Sequence, residues 1–236
     1  MSNKGNLFLI PSVISPDTQD AVVPQKVKSF LQDIRYFLVE DIRTARRYLG
    51  SLRIYDKIDA LSFSVLNKDT QEVDMATLFK PAFDGHDLGV LSESGCPGIA
   101  DPGALAAAFA HKNGIKVIPL VGPSAIILGL MASGLNGQRF AFHGYLPIQR
   151  KDAAGAIRNL EKESKSKDQT QIFIETPYRN NQLLANLIQQ LAPETRLCVA
   201  LDITGENEFI RTLPVKEWRT QSIELPKNPA VFLFLA

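Results

Sequence analysis

The chain has 236 residues, of which 45% are hydrophobic and 22% charged, and a formal net charge of +1. That length suits one large α/β domain or two smaller ones with a sizeable core. The near-neutral charge excludes a globally cationic binder of nucleic acid or anionic membrane, so any polyanion site must be local.

The two cysteines, Cys96 and Cys198, lie far apart and outside any CxxC pattern, which argues against a disulfide framework and against a cysteine-based metal site and fits a reducing compartment. The apolar run near the N-terminus is too short for a secretion signal, and no stretch is long enough to span a bilayer, so the expected location is the cytoplasm.

In chain order, NLFLIP (6–11) is a short apolar run stopped by proline, the pattern of a strand buried on both faces. Similar runs at 36–40, 58–64, 87–93 and 115–120 are separated by segments with helical character at 21–33, 41–49, 70–79 and 103–113. Strand and helix alternate, which predicts a parallel sheet covered on both faces. After GPSA (122–125) the pattern restarts with the apolar helix AIILGLMAS, for which Ser124 is an N-cap or first-turn candidate. Strands at 139–145, 171–175, 196–201, 208–213 and 230–236, with helices at 150–164 and 179–191, complete this half. Its short connections predict a partly antiparallel sheet. The expected fold class is therefore α/β with two domains, 1–120 with a mainly parallel sheet and 121–236 with a mixed one. The stretch EKESKSKDQT (161–170) reads as a solvated helix end and loop.

The segment LSESGCPGIADPGA (91–104) places glycines and prolines between a parallel strand and a helix, where backbone N–H groups can approach a ligand. It has no lysine or arginine, lacks the GK[ST] ending of a P-loop and the GxGxxG spacing, and carries Glu93 and Asp101. Pro97 and Pro102 stiffen it and remove two donors, so it suits a neutral or cationic ligand better than a phosphate. Asp101 before Pro102 has a simpler use as the cap of the following helix.

Further candidates lie on the same carboxyl rim. VEDIRTARRYL (39–49) places Glu40 and Asp41 at a strand end, with Asp41 also a cap candidate. Arg43 and Arg47 share one helix face that could meet a phosphate backbone. Glu175 ends a strand before TPYR. His86, His111 and His143 show no paired metal spacing, so no metal is expected. Ser92 and Ser94 are not in GxSxG, and Cys96 has no cationic neighbour to activate it.

LSESGCPGIADPG, IPLVGPSAIILGLMASGL, FHGYLP and FIETPYR resemble, in order and spacing, the tetrapyrrole methylase superfamily. They are most similar to the branch that methylates a ribose 2′-hydroxyl in small-subunit rRNA, whose EDTR signature is matched by VEDIRTARRYL. The resemblance implies a homodimer of two-domain α/β chains with S-adenosylmethionine in a cleft between the domains. It places the cofactor along Pro11, Gly95, Cys96, Ile99, Ser124 and Ala125. Glu175, Asp202, Ile203, Pro229 and Ala230 are expected from the second domain. Glu40, Asp41 and Arg43 are the catalytic candidates on the substrate side, the acids accepting the hydroxyl proton and the arginine orienting substrate. Some motifs depart from the pattern: PTPIGN becomes PSVISPD, RELTK becomes LDITG, and the histidine of ESPHR becomes Tyr178. The chain also stops at Ala236, short of the C-terminal helical segment of the rRNA enzymes. A tetrapyrrole or other small-molecule acceptor, or a cofactor-binding regulator without catalysis, are the alternatives.

Overall fold

The computed structural model describes residues 4–236 and divides into two compact units, Met1–Ser124 and Ala125–Ala236. In the first unit, β1 (Leu7–Ile10) is followed by two short helices, α1 (Gln19–Val22) and α2 (Gln25–Leu31). The single helix predicted over 21–33 is thus split, because Pro24 forces the extended backbone of Val23 and cannot continue the ladder. Then come β2 (Tyr36–Val39), α3 (Ile42–Ser51) and β3 (Ser62–Val65). The first residues of the strand predicted at 58–64 form a 3-10 turn, Ile58–Ala60, instead. The helix predicted at 70–79 resolves into a 3-10 turn, Glu72–Asp74, then α4 (Met75–Leu78) and α5 (Lys80–Phe83), with Pro81 in the first turn of α5. β4 (Leu88–Leu91), α6 (Gly103–Lys112) and β5 (Val117–Pro119) complete the unit.

All five strands are parallel, in the order β3-β2-β4-β1-β5. Neighbouring residues along each strand serve opposite faces: Phe8, Ile10, Phe37 and Val39 pack with Val27, Leu31 and Leu49 of α2 and α3. Leu7, Leu38, Leu88 and Val90 pack with Phe79, Ala82, Ala106 and Ala110 of α5, α6 and the turn before α5. This double burial explains why the strands read as continuous apolar runs.

β1 and β4 are neighbours, yet β1 leads toward β2 on one side and β4 leads toward β5 on the other. The crevice outside their carboxyl ends is therefore a topological switch point, where open parallel sheets bind ligands.

The second unit starts with α7 (Ala125–Ser133), then β6 (Phe140–Phe142), α8 (Arg150–Lys167), β7 (Thr170–Glu175), α9 (Asn180–Gln190), β8 (Arg196–Leu201), β9 (Phe209–Pro214), α10 (Val215–Trp218) and β10 (Ala230–Leu235). Its sheet runs β6-β7-β10-β8-β9, with only the β6 and β7 pair parallel. Phe173, Val199, Phe232 and Phe234 face Ile157, Leu184 and Trp218 in one core, and the Trp218 indole donates to the Leu197 carbonyl at 2.8 Å. Within 161–170, α8 continues to Lys167, and Ser164 is fully buried with its Oγ accepting the Ala236 N–H at 2.9 Å. Thr170, the first residue of β7, is fully buried as well, so the lysine and serine composition of that stretch concealed two inward positions.

Candidate functional site

The first unit gathers its loops at the switch point. Ser12, directly after the rim residue Pro11, donates its N–H to the carbonyl of Gly95 at 2.9 Å, tying the end of β1 to the loop after β4. Ser92 Oγ donates to the same carbonyl at 3.0 Å. Cys96 Sγ contacts the Pro123 carbonyl at 3.3 Å, which joins the β4 loop to the segment ending at Ser124. Gly122 lies against Pro11 so closely that a Cβ on it would fall 2.1 Å from the proline Cβ. From below, the buried Tyr48 of α3 donates its hydroxyl to the Pro11 carbonyl at 2.7 Å, and burial raises that phenol's pKa. Pro11, Gly95, Cys96 and the chain leading into Ser124 thus converge.

The β4 loop holds its shape by positive φ values at Gly95 (73°), Gly98 (84°) and Ala100 (63°). Asp101 Oδ1 accepts the N–H groups of Gly98 and Gly103 at 2.7 Å each. Asp101 is not the N-cap: α6 begins at Gly103 and Pro102 takes the cap position, so Asp101 lies one residue earlier and holds only the first helical N–H, that of Gly103. Its second oxygen, Oδ2, is buried with no hydrogen-bond partner. Ser12 is 3% exposed, and its Oγ is likewise buried and unpartnered. A buried polar atom without a partner is rare enough to mark a place where a ligand or water completes the bonding. Ile99, on the same loop, is 47% exposed.

Electrostatics sort the catalytic candidates. Glu40, at the end of β2, is half-buried; burial is the largest effect and pushes its carboxyl above the ordinary glutamate value, the Glu93 amide bond lowers it next, and the charges of Asp101 and then Glu93 raise it again. Burial also raises Asp101, although the Gly98 and Gly103 amides pull it down. Asp41 behaves in the opposite way: it is the N-cap of α3, accepting the Thr44 N–H at 2.7 Å, and this bond lowers its carboxyl. Arg43 stands exposed in the first turn of α3, with Arg47 one turn on and Arg46 paired to Asp59. Cys96 is not an activated nucleophile, since burial and the Asp101 charge raise its thiol.

In the second unit, antiparallel pairing brings the end of β7, the end of β8 and the start of β10 to one rim. Ala230 pairs with Glu175 on one side and Leu201 on the other. Glu175 Oε1 accepts from Arg179 Nε at 2.9 Å and Nη2 at 2.5 Å and from the Thr176 N–H at 2.6 Å. Asp202 donates its N–H to the Pro229 carbonyl at 3.0 Å and accepts the Gly205 N–H on its own carbonyl at 2.8 Å. It adopts φ 50°, and its carboxylate sits where a side chain on Gly205 would stand, 2.4 Å from that absent Cβ. Ile203 is buried beside Gly129 of α7, the helix that Ala125 begins. Thr204 follows at φ 70° with its Oγ1 buried and unpartnered. Sequence reasoning missed Ser12, Tyr48, Thr204 and the linkage of Glu93 and Asp101 to Glu40. The position of Ser12 just past a strand end was the one local signal for it. Among the described residues no cluster of His, Cys, Asp and Glu could hold a metal, and no helix is long and apolar enough to cross a membrane.

No family model matches the chain. Ribosomal RNA small subunit methyltransferase I of Halalkalibacterium halodurans is 31% identical over 210 residues, covering 89% of this chain and 68% of that protein. The protein of the same name from Vibrio cholerae is 28% identical over 230 residues, 96% of this chain and 76% of the relative. Among solved structures, uroporphyrin-III-C-methyltransferase from Thermus thermophilus shares the fold, with a TM-score of 0.56 at 19% identity over 98% of this chain and 92% of its own. The α/β architecture is thus that of the tetrapyrrole methylases. With 31% identity across more than two thirds of a curated relative, the chain belongs to the ribosomal RNA small subunit methyltransferase I family.

Proposed function

We propose that this chain transfers a methyl group from S-adenosylmethionine to a ribose 2′-hydroxyl of small-subunit ribosomal RNA. The observation that carries the reading is the switch-point crevice, where the buried, unpartnered Ser12 Oγ and Asp101 Oδ2 lie on tied loops that hold three carboxylates, Glu40, Glu93 and Asp101. Those acceptors and negative charges fit a cationic sulfonium bearing hydroxyl and amine groups, and the loop from Leu91 to Ala104 contains no lysine or arginine to hold a phosphate.

Pro11, Gly95, Cys96, Ile99 and Ser124 are assigned to the cofactor in the first unit, with Ser12 added. In the second unit, Ala125, Glu175, Asp202, Ile203, Pro229 and Ala230 are the cofactor-binding residues that the resemblance implies. Bound there, S-adenosylmethionine supplies a methyl group open to in-line attack by an acceptor oxygen. Glu40 is the proton acceptor for the attacking hydroxyl, because its raised pKa makes it a stronger base than an ordinary carboxylate. Asp41 is occupied by the α3 cap, so it serves by fixing the helix that presents Arg43. Arg43 and Arg47 orient the substrate through its phosphates. A tetrapyrrole acceptor fits less well, since the uroporphyrin-III enzyme shares the fold at only 19% identity. We further infer a homodimer in the cytoplasm, as the resemblance implies; analytical ultracentrifugation checks the dimer.

Calorimetry with S-adenosylmethionine, followed by labelled methyl transfer to unmodified small-subunit rRNA, tests the reading. Saturable binding and one new 2′-O-methyl group are expected. No binding overturns the cofactor assignment, and binding without transfer to the rRNA overturns the acceptor.

A further inference from the structure

A second cleft opens at the other end of the first sheet, where the strands begin. It has a volume of about 360 Å³, within the range of small-ligand sites. Its origin is a mismatch between layers. Ser62 and Ser64 of β3 are in register with Tyr36 and Leu38 of β2, so all four share one sheet face. At β2 that face is roofed, and Leu38 is buried with Met75 and Phe79. At the edge strand β3 the roof stops, and Ser62 and Ser64 are exposed alongside Thr77 and Lys80 at the outer margin of α4 and α5. The burial pattern of β3 departs from that of every other strand in this sheet for this reason.

The cleft wall carries a matched set of groups. The exposed His86 ring leans on the Tyr36 ring with centroids 5.2 Å apart and planes tilted by 38°. The hydroxyls of Tyr36, Ser62, Ser64 and Thr77 and the ring nitrogens of His86 make no hydrogen bond within the described residues. Lys80 stands at the rim, 73% exposed and paired at 2.9 Å with Asp84 of the next turn. Aromatic faces and a cation at the rim are elements by which unpaired nucleotides are held without strong sequence preference, and the hydroxyls add groups that can donate to or accept from a sugar or base edge.

We propose that this cleft seats one unpaired ribonucleotide, its base on the Tyr36 and His86 rings, its sugar and base edges among the hydroxyls, and its phosphate at Lys80. The assignment rests on the RNA acceptor proposed above, since the nucleotide then belongs to the same RNA. The cleft lies at the amino ends of β2 and β3, whereas Glu40 stands at the carboxyl end of β2. Four strand residues separate the two levels, roughly 13 Å. The cleft therefore anchors a part of the RNA away from the reacting ribose. A free mononucleotide offers the same chemistry, and the test separates the two sources.

Each ribonucleoside 5′-monophosphate and a short labelled single-stranded oligoribonucleotide are titrated into the full chain, the first followed by the His86 ring resonances and the second by fluorescence anisotropy. His86→Ala and Ser64→Trp, both at exposed positions, are compared after thermal unfolding shows that they fold. Binding of the oligonucleotide is expected to weaken by roughly 5- to 100-fold in each variant, with KM for rRNA rising and affinity for S-adenosylmethionine unchanged. Mononucleotides that perturb His86 only weakly place the ligand in an RNA chain; tight mononucleotide binding with unaltered oligonucleotide affinity overturns the RNA anchor. Variants that bind and react like the parent overturn the cleft alone, leaving the methyl-transfer reading intact. If rRNA is not methylated, the mononucleotide titration still reads the cleft separately from that failure.

Discussion

Asp101 accepts the Gly103 N–H on Oδ1 at 2.7 Å, so a side chain two residues upstream closes the first turn of α6. The same oxygen holds Gly98, and the loop and helix are thereby one rigid piece. Asp101→Ala leaves both half-buried amides without this acceptor and should destabilise the chain by about 1–3 kcal/mol. Urea unfolding checks this, with Asp101→Asn recovering part of the loss because its amide oxygen can still accept the two N–H groups. An unchanged midpoint in the alanine variant would show that the two bonds do not hold the loop.

The contact of Gly122 with Pro11 has no room for a methyl group. Gly122→Ala forces apart the ends of β1 and β5, and the expected cost is about 1–3 kcal/mol. Affinity for S-adenosylmethionine should fall with it, because Pro11 and Ser124 are displaced together. Parallel unfolding and calorimetry measure both; loss of stability with full affinity would detach this contact from the ligand site.

Glu40 binds its proton more tightly than an ordinary glutamate because of burial and the Asp101 and Glu93 charges. The ionised form is the base, so kcat should fall as pH drops through that raised value and level off above it. Asp101→Asn removes a negative charge and should move this limb to lower pH. Glu40→Gln should abolish the limb and lower kcat by about 10²- to 10⁴-fold. Asp41→Ala should keep the limb and lower Tm slightly, since its carboxylate is engaged at Thr44. A Glu40→Gln enzyme with parental kcat would remove Glu40 from the chemistry.

Ser12 offers a test that separates ligand from fold. Its buried Oγ has no protein partner, so Ser12→Ala should leave stability unchanged or slightly raised. If the hydroxyl meets the cofactor, affinity for S-adenosylmethionine drops by roughly 3- to 10-fold. Calorimetry showing parental affinity would assign the hydroxyl to water.

Much of the first unit was legible because strands buried on both faces must be continuous apolar runs, and Leu7–Ile10, Tyr36–Val39 and Leu88–Leu91 all are. The breaks at Pro24 and within 70–83 were less so, since helical composition persists on both sides of a short interruption. The edge strand β3 carried a mixed pattern, and its first residues formed a turn. In the second unit the inward face of Ser164 could not be read from a lysine-rich window, because burial there is set by the sheet packed beneath α8.

By itself the sequence determined the alternation of strand and helix, the turn chemistry of the Leu91 to Ala104 loop and its lack of cations, all properties carried by residues close together in the chain. Only the tertiary structure decided that β1 and β4 are neighbours with opposite exits, that Glu40 is coupled to Asp101 and Glu93 while Asp41 is spent on a helix cap, and that Ser12 is sealed beside Gly95. The physical reason is that the proton affinity of a carboxylate and the bonding of a hydroxyl depend on burial and on charges brought near by packing, over 60 residues apart in the chain from Glu40 to Asp101.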